Sequence, residues 1–115
     1  MQTTQLFSEI DEHITHANYF QTKKEYGRAR VSARLAAGKA AKYFLSLHYS
    51  HSTNLITPYQ ALENLKSLQK ISPSIRLALD LLTQKVNQDY SFPMQAEFIN
   101  SANEIINYIK NEVTK

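Results

Sequence analysis

The chain has 115 residues, 43% of them hydrophobic, with a net charge of +3 and no cysteine. That length suits one domain with one continuous core, which buries roughly two thirds of the surface its unfolded chain would expose. The missing cysteine excludes disulfides, thiolate metal sites and cysteine nucleophiles; with no apolar run near the ~20 residues that span a bilayer and no secretion signal at the start, the expected setting is the cytoplasm.

In chain order, the first predicted helix covers about residues 4–21 and places Leu6, Ile10, Ile14, Ala17 and Phe20 on one face, with Phe7 at its edge. It is acidic: the first 22 residues hold Glu9, Asp11 and Glu12 and no lysine or arginine. A second, long helix is expected over about 25–49. Its seam of Tyr26, Ala29, Ala33, Ala36, Ala40, Phe44 and Leu47 recurs at helical spacing. Alanine combines the best helix propensity with the smallest side chain outside glycine, so this seam predicts close packing against neighbouring helices.

A polar stretch, 50–57, follows. Thr57-Pro58-Tyr59-Gln60 then reads as a cap, a first-turn proline and a capping-box partner for a short third helix ending near Lys70. Ser72-Pro73 repeats the start signal for a fourth helix with the stripe Ile75, Leu79, Leu82 and Val86, before a turn over 87–91. Pro93 opens the last helix, striped by Met94, Phe98, Ala102, Ile105, Ile109 and Val113. With two glycines and no two-residue alternation, the expected fold is all-α: one domain, an antiparallel up-and-down bundle of about five helices with a four-helix-bundle-like core.

Opposite its alanine seam the second helix carries another strip, Gly27, Val31, Leu35, Gly38, Leu45 and Tyr49. Two readings account for it. The helix is central and touches neighbours on both sides, or the strip is a self-complementary dimer surface where the glycines let backbones approach. Leu77 and Leu81 likewise face away from the main stripe of the fourth helix.

Positive charge concentrates in residues 23–42, where Lys23, Lys24, Arg28, Arg30, Arg34, Lys39 and Lys42 face Glu25 alone. Helical spacing splits it into two ridges, Arg30 and Arg34 on one flank of the seam, Lys24, Arg28, Lys39 and Lys42 on the other. Arg28, Arg30, Arg34, Lys39 and Lys42 are therefore the candidate contacts for a nucleic-acid backbone or a nucleotide, with Tyr19, Tyr43 and Tyr49 as possible stacking surfaces. The competing reading has these cations paired with the acidic first helix or simply solvated.

Glu9, His13 and His16 occupy neighbouring helical turns, as do His48 and His51, but neither set is a strong metal signal. His13 falls within the apolar stripe, as a hydrogen-bonded boundary residue would, and no Glu or Asp stands three residues before any histidine, as carboxylate di-metal bundles require. Gly-rich phosphate loops and Gly-x-Ser-x-Gly turns are absent as well, so no catalytic residue, metal or cofactor is implied.

In its order of features the chain resembles the HEPN domains, small prokaryotic helical bundles associated with nucleotidyltransferases or acting as toxin ribonucleases. The resemblance spans nearly the whole chain. It is carried by Ala17-Asn18-Tyr19-Phe20, Glu25-Tyr26-Gly27-Arg28-Ala29, Ala36-Ala37-Gly38-Lys39-Ala40-Ala41-Lys42-Tyr43-Phe44, Tyr59-Gln60-Ala61-Leu62-Glu63-Asn64-Leu65 and Ser101-Ala102-Asn103-Glu104-Ile105-Ile106. Catalytic members carry an arginine followed, after four to six residues, by a histidine. Here the arginines are 28, 30, 34 and 76 and the histidines 13, 16, 48 and 51, and no pair has that spacing. The resemblance thus implies a non-catalytic accessory protein with a partner such as a nucleotidyltransferase, and the second strip of helix two adds the expectation of a homodimer. An RNA- or nucleotide-binding module is the alternative, and a ribonuclease joining His13 to Arg30 or Arg34 across helices is a further one.

Overall fold

Five helices make up the computed structural model, which describes residues 3–48, 56–68, 70–83 and 97–113. They are α1 (Thr3–Thr22), α2 (Tyr26–His48), α3 (Pro58–Lys66), α4 (Pro73–Thr83) and α5 (Glu97–Val113). Among the described residues there is no strand, and the chain is an all-α helical bundle, as its periodicity implies. No described helix is long and apolar enough to cross a membrane.

The bundle is organised around α2, which packs against α1, α3, α5 and, more lightly, α4. Its alanines explain how one helix touches four. Ala33, Ala36 and Ala40 of the seam are fully buried, and so are Ala37 and Ala41 beside it, so the small-residue face is wide enough to seat neighbours on both sides. The seam stops a turn earlier than its spacing suggests. Phe44 is buried, but Leu47, in the final turn of α2, is 54% exposed.

Around that face the core is completed by Leu6, Ile10 and Ala17 of α1, Ala61, Leu62 and Leu65 of α3, Ile75, Leu79 and Leu82 of α4, and Phe98, Ala102, Ile105 and Ile109 of α5. Val86, Pro93 and Met94, expected to extend α4 and open α5, lie outside the described residues, as does the 87–91 turn.

The second strip of α2 is not one surface, which corrects its reading as a dimer face. Gly38 is buried against Pro58 at the start of α3, and Leu45 belongs to the core; Leu35 is half-buried, and only Gly27 and Val31 are open. Tyr49 lies outside the described residues. The central-helix reading accounts for the C-terminal half of the strip.

Local signals set the ends of α3. The Thr57 hydroxyl accepts from the Gln60 amide at 3.0 Å, and the Gln60 side-chain oxygen accepts from the Thr57 amide at 2.9 Å, forming the capping box. At the other end α3 stops at Lys66, short of Lys70, because Arg76 reaches back from α4. Its guanidinium donates to the Lys66 carbonyl at 2.6 Å and the Leu68 carbonyl at 3.1 Å, satisfying acceptors that another helical turn would have used.

Gly38 lies where α2 and α3 approach closely. A Cβ there would lie 2.6 Å from the Pro58 Cα and 2.8 Å from its carbonyl oxygen, so the backbone of α3 would have to move. Gly38→Ala is expected to cost about 1–3 kcal/mol in urea denaturation through overpacking, despite alanine's better helix propensity. Unchanged stability would mean that α2 and α3 do not meet there.

Candidate functional site

The structure turns the two ridges of cations to different uses. Arg30, expected to contact phosphate, is only 3% exposed, with its guanidinium 4.9 Å from the centre of the Phe98 ring. Burial and then the neighbouring Arg34 charge lower its pKa. Arg34 also points inward: its Nε donates to the Leu82 carbonyl at 2.9 Å, and its guanidinium stands 5.3 Å from the Tyr59 ring centre.

The last turn of α4 contains no basic residue of its own, so Arg34 supplies positive charge where that helix exposes its final carbonyls. Tyr59 and Lys66 reach the same end, the Tyr59 hydroxyl donating to the Thr83 carbonyl at 3.1 Å and Lys66 Nζ to the Thr83 hydroxyl at 3.3 Å. Lys66 also pairs with Asp80 at 3.3 Å and Glu63 at 3.6 Å. Arg30 and Arg34 are thus parts of the fold, which corrects their reading as an exposed binding ridge.

On the other flank, Lys39 pairs with Glu9 at 3.8 Å, tying α2 to α1 through a solvent-screened contact, and Lys42 is half-buried. Of the five candidate cations only Arg28 projects well into solvent, its side chain 70% exposed and 3.5 Å from Glu25. Arg34→Ala is expected to cost about 2 kcal/mol, since it strips a charged donor from a partly buried carbonyl. Arg34→Lys should restore only part of that, because an ammonium does not reproduce the flat guanidinium over Tyr59. Thermal unfolding of both variants checks the order.

His13 is half-buried on α1, its ring 6.4 Å from that of His16. Burial lowers its pKa first, Lys39 and His16 lower it further, and Glu12 and Glu9 partly offset them. The arginines considered with it from sequence are turned elsewhere, Arg30 to the Phe98 ring and Arg34 to the Leu82 carbonyl. Among the described residues no three of His, Asp and Glu stand together as metal ligands. The His48 side chain and His51 lie outside the described residues.

Because the folded chain binds the His13 proton less readily than the unfolded chain, acid favours unfolding. This loss begins as pH falls through the ordinary histidine value of 6.5 and is complete below the lowered one. In His13→Gln the stability profile should be flatter across that window; an identical slope would show that His13 does not carry the effect.

The exposed chemistry gathers instead where α1 turns into α2. The Glu25 amide bonds to the Phe20 carbonyl at 2.9 Å and the Lys24 amide to the Gln21 carbonyl at 3.0 Å, a paired arrangement that ends α1 with one residue in the left-handed region. That residue is Lys24, at φ 62°, where glycine is the usual occupant. Beside it Lys23 lies 5.7 Å from the ring centre of Tyr19, itself 56% exposed, and Arg28 lies 5.8 Å from that of Phe20. An open cleft of about 270 Å³ runs between Phe20, Gly27, Arg28, Val31 and Ser32.

The sequence places Gly27 and Val31 in the second strip and Arg28 in a basic ridge, without the turn that unites them. A signal was present: helix one ends in Lys23-Lys24-Glu25 without the expected glycine. Lys24→Gly should raise stability by about 1 kcal/mol by relieving the left-handed backbone. A loss would mean that this conformation carries no strain.

Compared with protein-family models, curated proteins and solved structures, the chain matches none of them.

Proposed function

We propose that this chain is a HEPN-like, non-catalytic binding protein of the cytoplasm that works through a protein partner, such as a nucleotidyltransferase. The observation that carries the reading is the α1–α2 turn, where cations, an exposed aromatic ring and an apolar cleft meet on the outside of a bundle whose other arginines are engaged in packing. Sites that bind are where local sequence and local structure disagree, and here a lysine holds a glycine's conformation. A reaction would need an acid–base group beside the groups that hold its substrate, and His13 stands by Lys39, Glu9 and Glu12 with no arginine among the charges acting on it.

RNA or nucleotide binding is the second reading, favoured by Lys23 over Tyr19, Arg28 over Phe20 and the exposed Lys24 of the same turn. It loses Arg30 and Arg34 to the interior, which shortens any phosphate-binding ridge to the turn itself. A homodimer is part of the proposal; because Gly38 and Leu45 are buried, the second strip of α2 as a whole does not supply its contact.

Affinity purification of the tagged full chain from its own cells should return one other protein in stoichiometric amount, while purified chain leaves RNA intact. RNA cleavage that disappears in His13→Ala would contradict the reading, as would recovery of the chain alone.

A further inference from the structure

Resting on that reading as a binding protein, we infer that the α1–α2 turn is itself the docking site, and that it takes an acidic peptide segment bearing one apolar side chain. Two residues there are the wrong way round for folding alone. Lys24 occupies a left-handed position that suits glycine, while Gly27, three residues on, lies in the first turn of α2 with an ordinary φ and nothing within 4 Å of where a Cβ would stand. Gly38 on the same helix is explained by Pro58, but the fold gives Gly27 no such reason.

Glycine at an exposed helical position leaves room for something outside the fold to approach the backbone. Lysine at a glycine position keeps a cation at the tip of the turn.

The cleft beside Gly27 defines the size and polarity of what enters. Its walls are largely Phe20, Gly27 and Val31, and Val31 is 61% exposed, a cost in water that a covering apolar group removes. At about 270 Å³ the cleft falls below the 300–1,000 Å³ typical of small-molecule sites, and its mostly apolar walls suit one aliphatic or aromatic side chain. Its surroundings set the charge of the partner.

Lys23, Lys24 and Arg28 border the cleft or the turn above it, and the nearest carboxylate, Glu25, is already paired with Arg28. Among the described residues neither Lys23 nor Lys24 has an ion-pair partner, although α1 carries exposed Asp11 and Glu12 farther along. Carboxylates on either side of an apolar anchor complement this pattern, and the exposed lysines would speed encounter.

Fluorescence anisotropy of the full chain with a short fluorescein-labelled peptide, one leucine flanked by aspartates and glutamates, tests the assignment. Binding should weaken about tenfold or more when the leucine becomes serine, and similarly in Val31→Arg and in Lys23→Glu, Lys24→Glu chains, and it should fall with added salt. Gly27→Leu, which fills the cleft at a position with no internal contact, should abolish binding and leave the thermal transition in place.

The inference is overturned if the peptide fails to bind, if the variants bind it as well as the native chain, or if oligouridylate RNA binds the turn more tightly than the peptide. Self-association seen by light scattering and lost in Val31→Arg would assign the surface to a second copy and overturn it too. A stoichiometric partner that still co-purifies with Val31→Arg would reject the docking site alone and leave the binding-protein reading standing.

Discussion

Close approach along α2 is the constraint on which the rest of the structure depends. A helix in the wall of a bundle needs one apolar stripe, but α2 is covered by four neighbours, and only a face made of alanines permits that crowding without forcing them apart. Gly38 carries the same logic further, since at the crossing with Pro58 even a methyl group is too large. Larger residues at Ala36 or Ala40 would have to displace Leu, Ile and Phe side chains that already fill the space, and interiors packed to crystal density have little slack for that.

An alanine core provides little apolar area of its own, so the long side chains flanking the seam contribute in another way. Arg30 lays its guanidinium on Phe98, and Arg34 bridges from α2 to the end of α4 beneath Tyr59. Arg76 does the same for the end of α3. Helix ends leave carbonyls without an intrahelical partner, and in this chain arginines from neighbouring helices satisfy some of them at partly buried ends. That structural role is why Arg30 and Arg34 turn away from solvent while Lys23, Lys24 and Arg28 of the same segment stay exposed.

Much of the fold was legible from residue spacing. The alanine seam, the Thr57–Gln60 capping box and the Ile and Leu stripes each state a local preference that packing had no reason to override. What spacing could not show was direction in three dimensions. Arg30 and Arg34 look like a solvent-facing ridge on a helical wheel until α4 and α5 are placed over them, and Gly38 looks like a partner of Gly27 until α3 crosses there.

The end of α3 was missed for a related reason: Arg76, ten residues beyond Lys66, terminates it. Likewise the α1–α2 turn stands out as a candidate site only once the left-handed lysine, the unneeded glycine and the exposed Tyr19 and Val31 stand together. Most departures from the sequence reading lie where helices cross, while Lys24 and Gly27, whose local preferences the fold does not explain, share one exposed corner.

Native-state hydrogen exchange, resolved by residue, tests most directly the claim that α2 is the buried centre of the molecule. The amides of Ala36, Ala37, Ala40 and Ala41 should exchange only through global unfolding, with the slowest rates in the chain, while those of the exposed turn around Lys24 exchange orders of magnitude faster. Exchange in the middle of α2 as fast as at the ends of α1 would contradict the account, because a helix that opens locally cannot be the one that holds the other four.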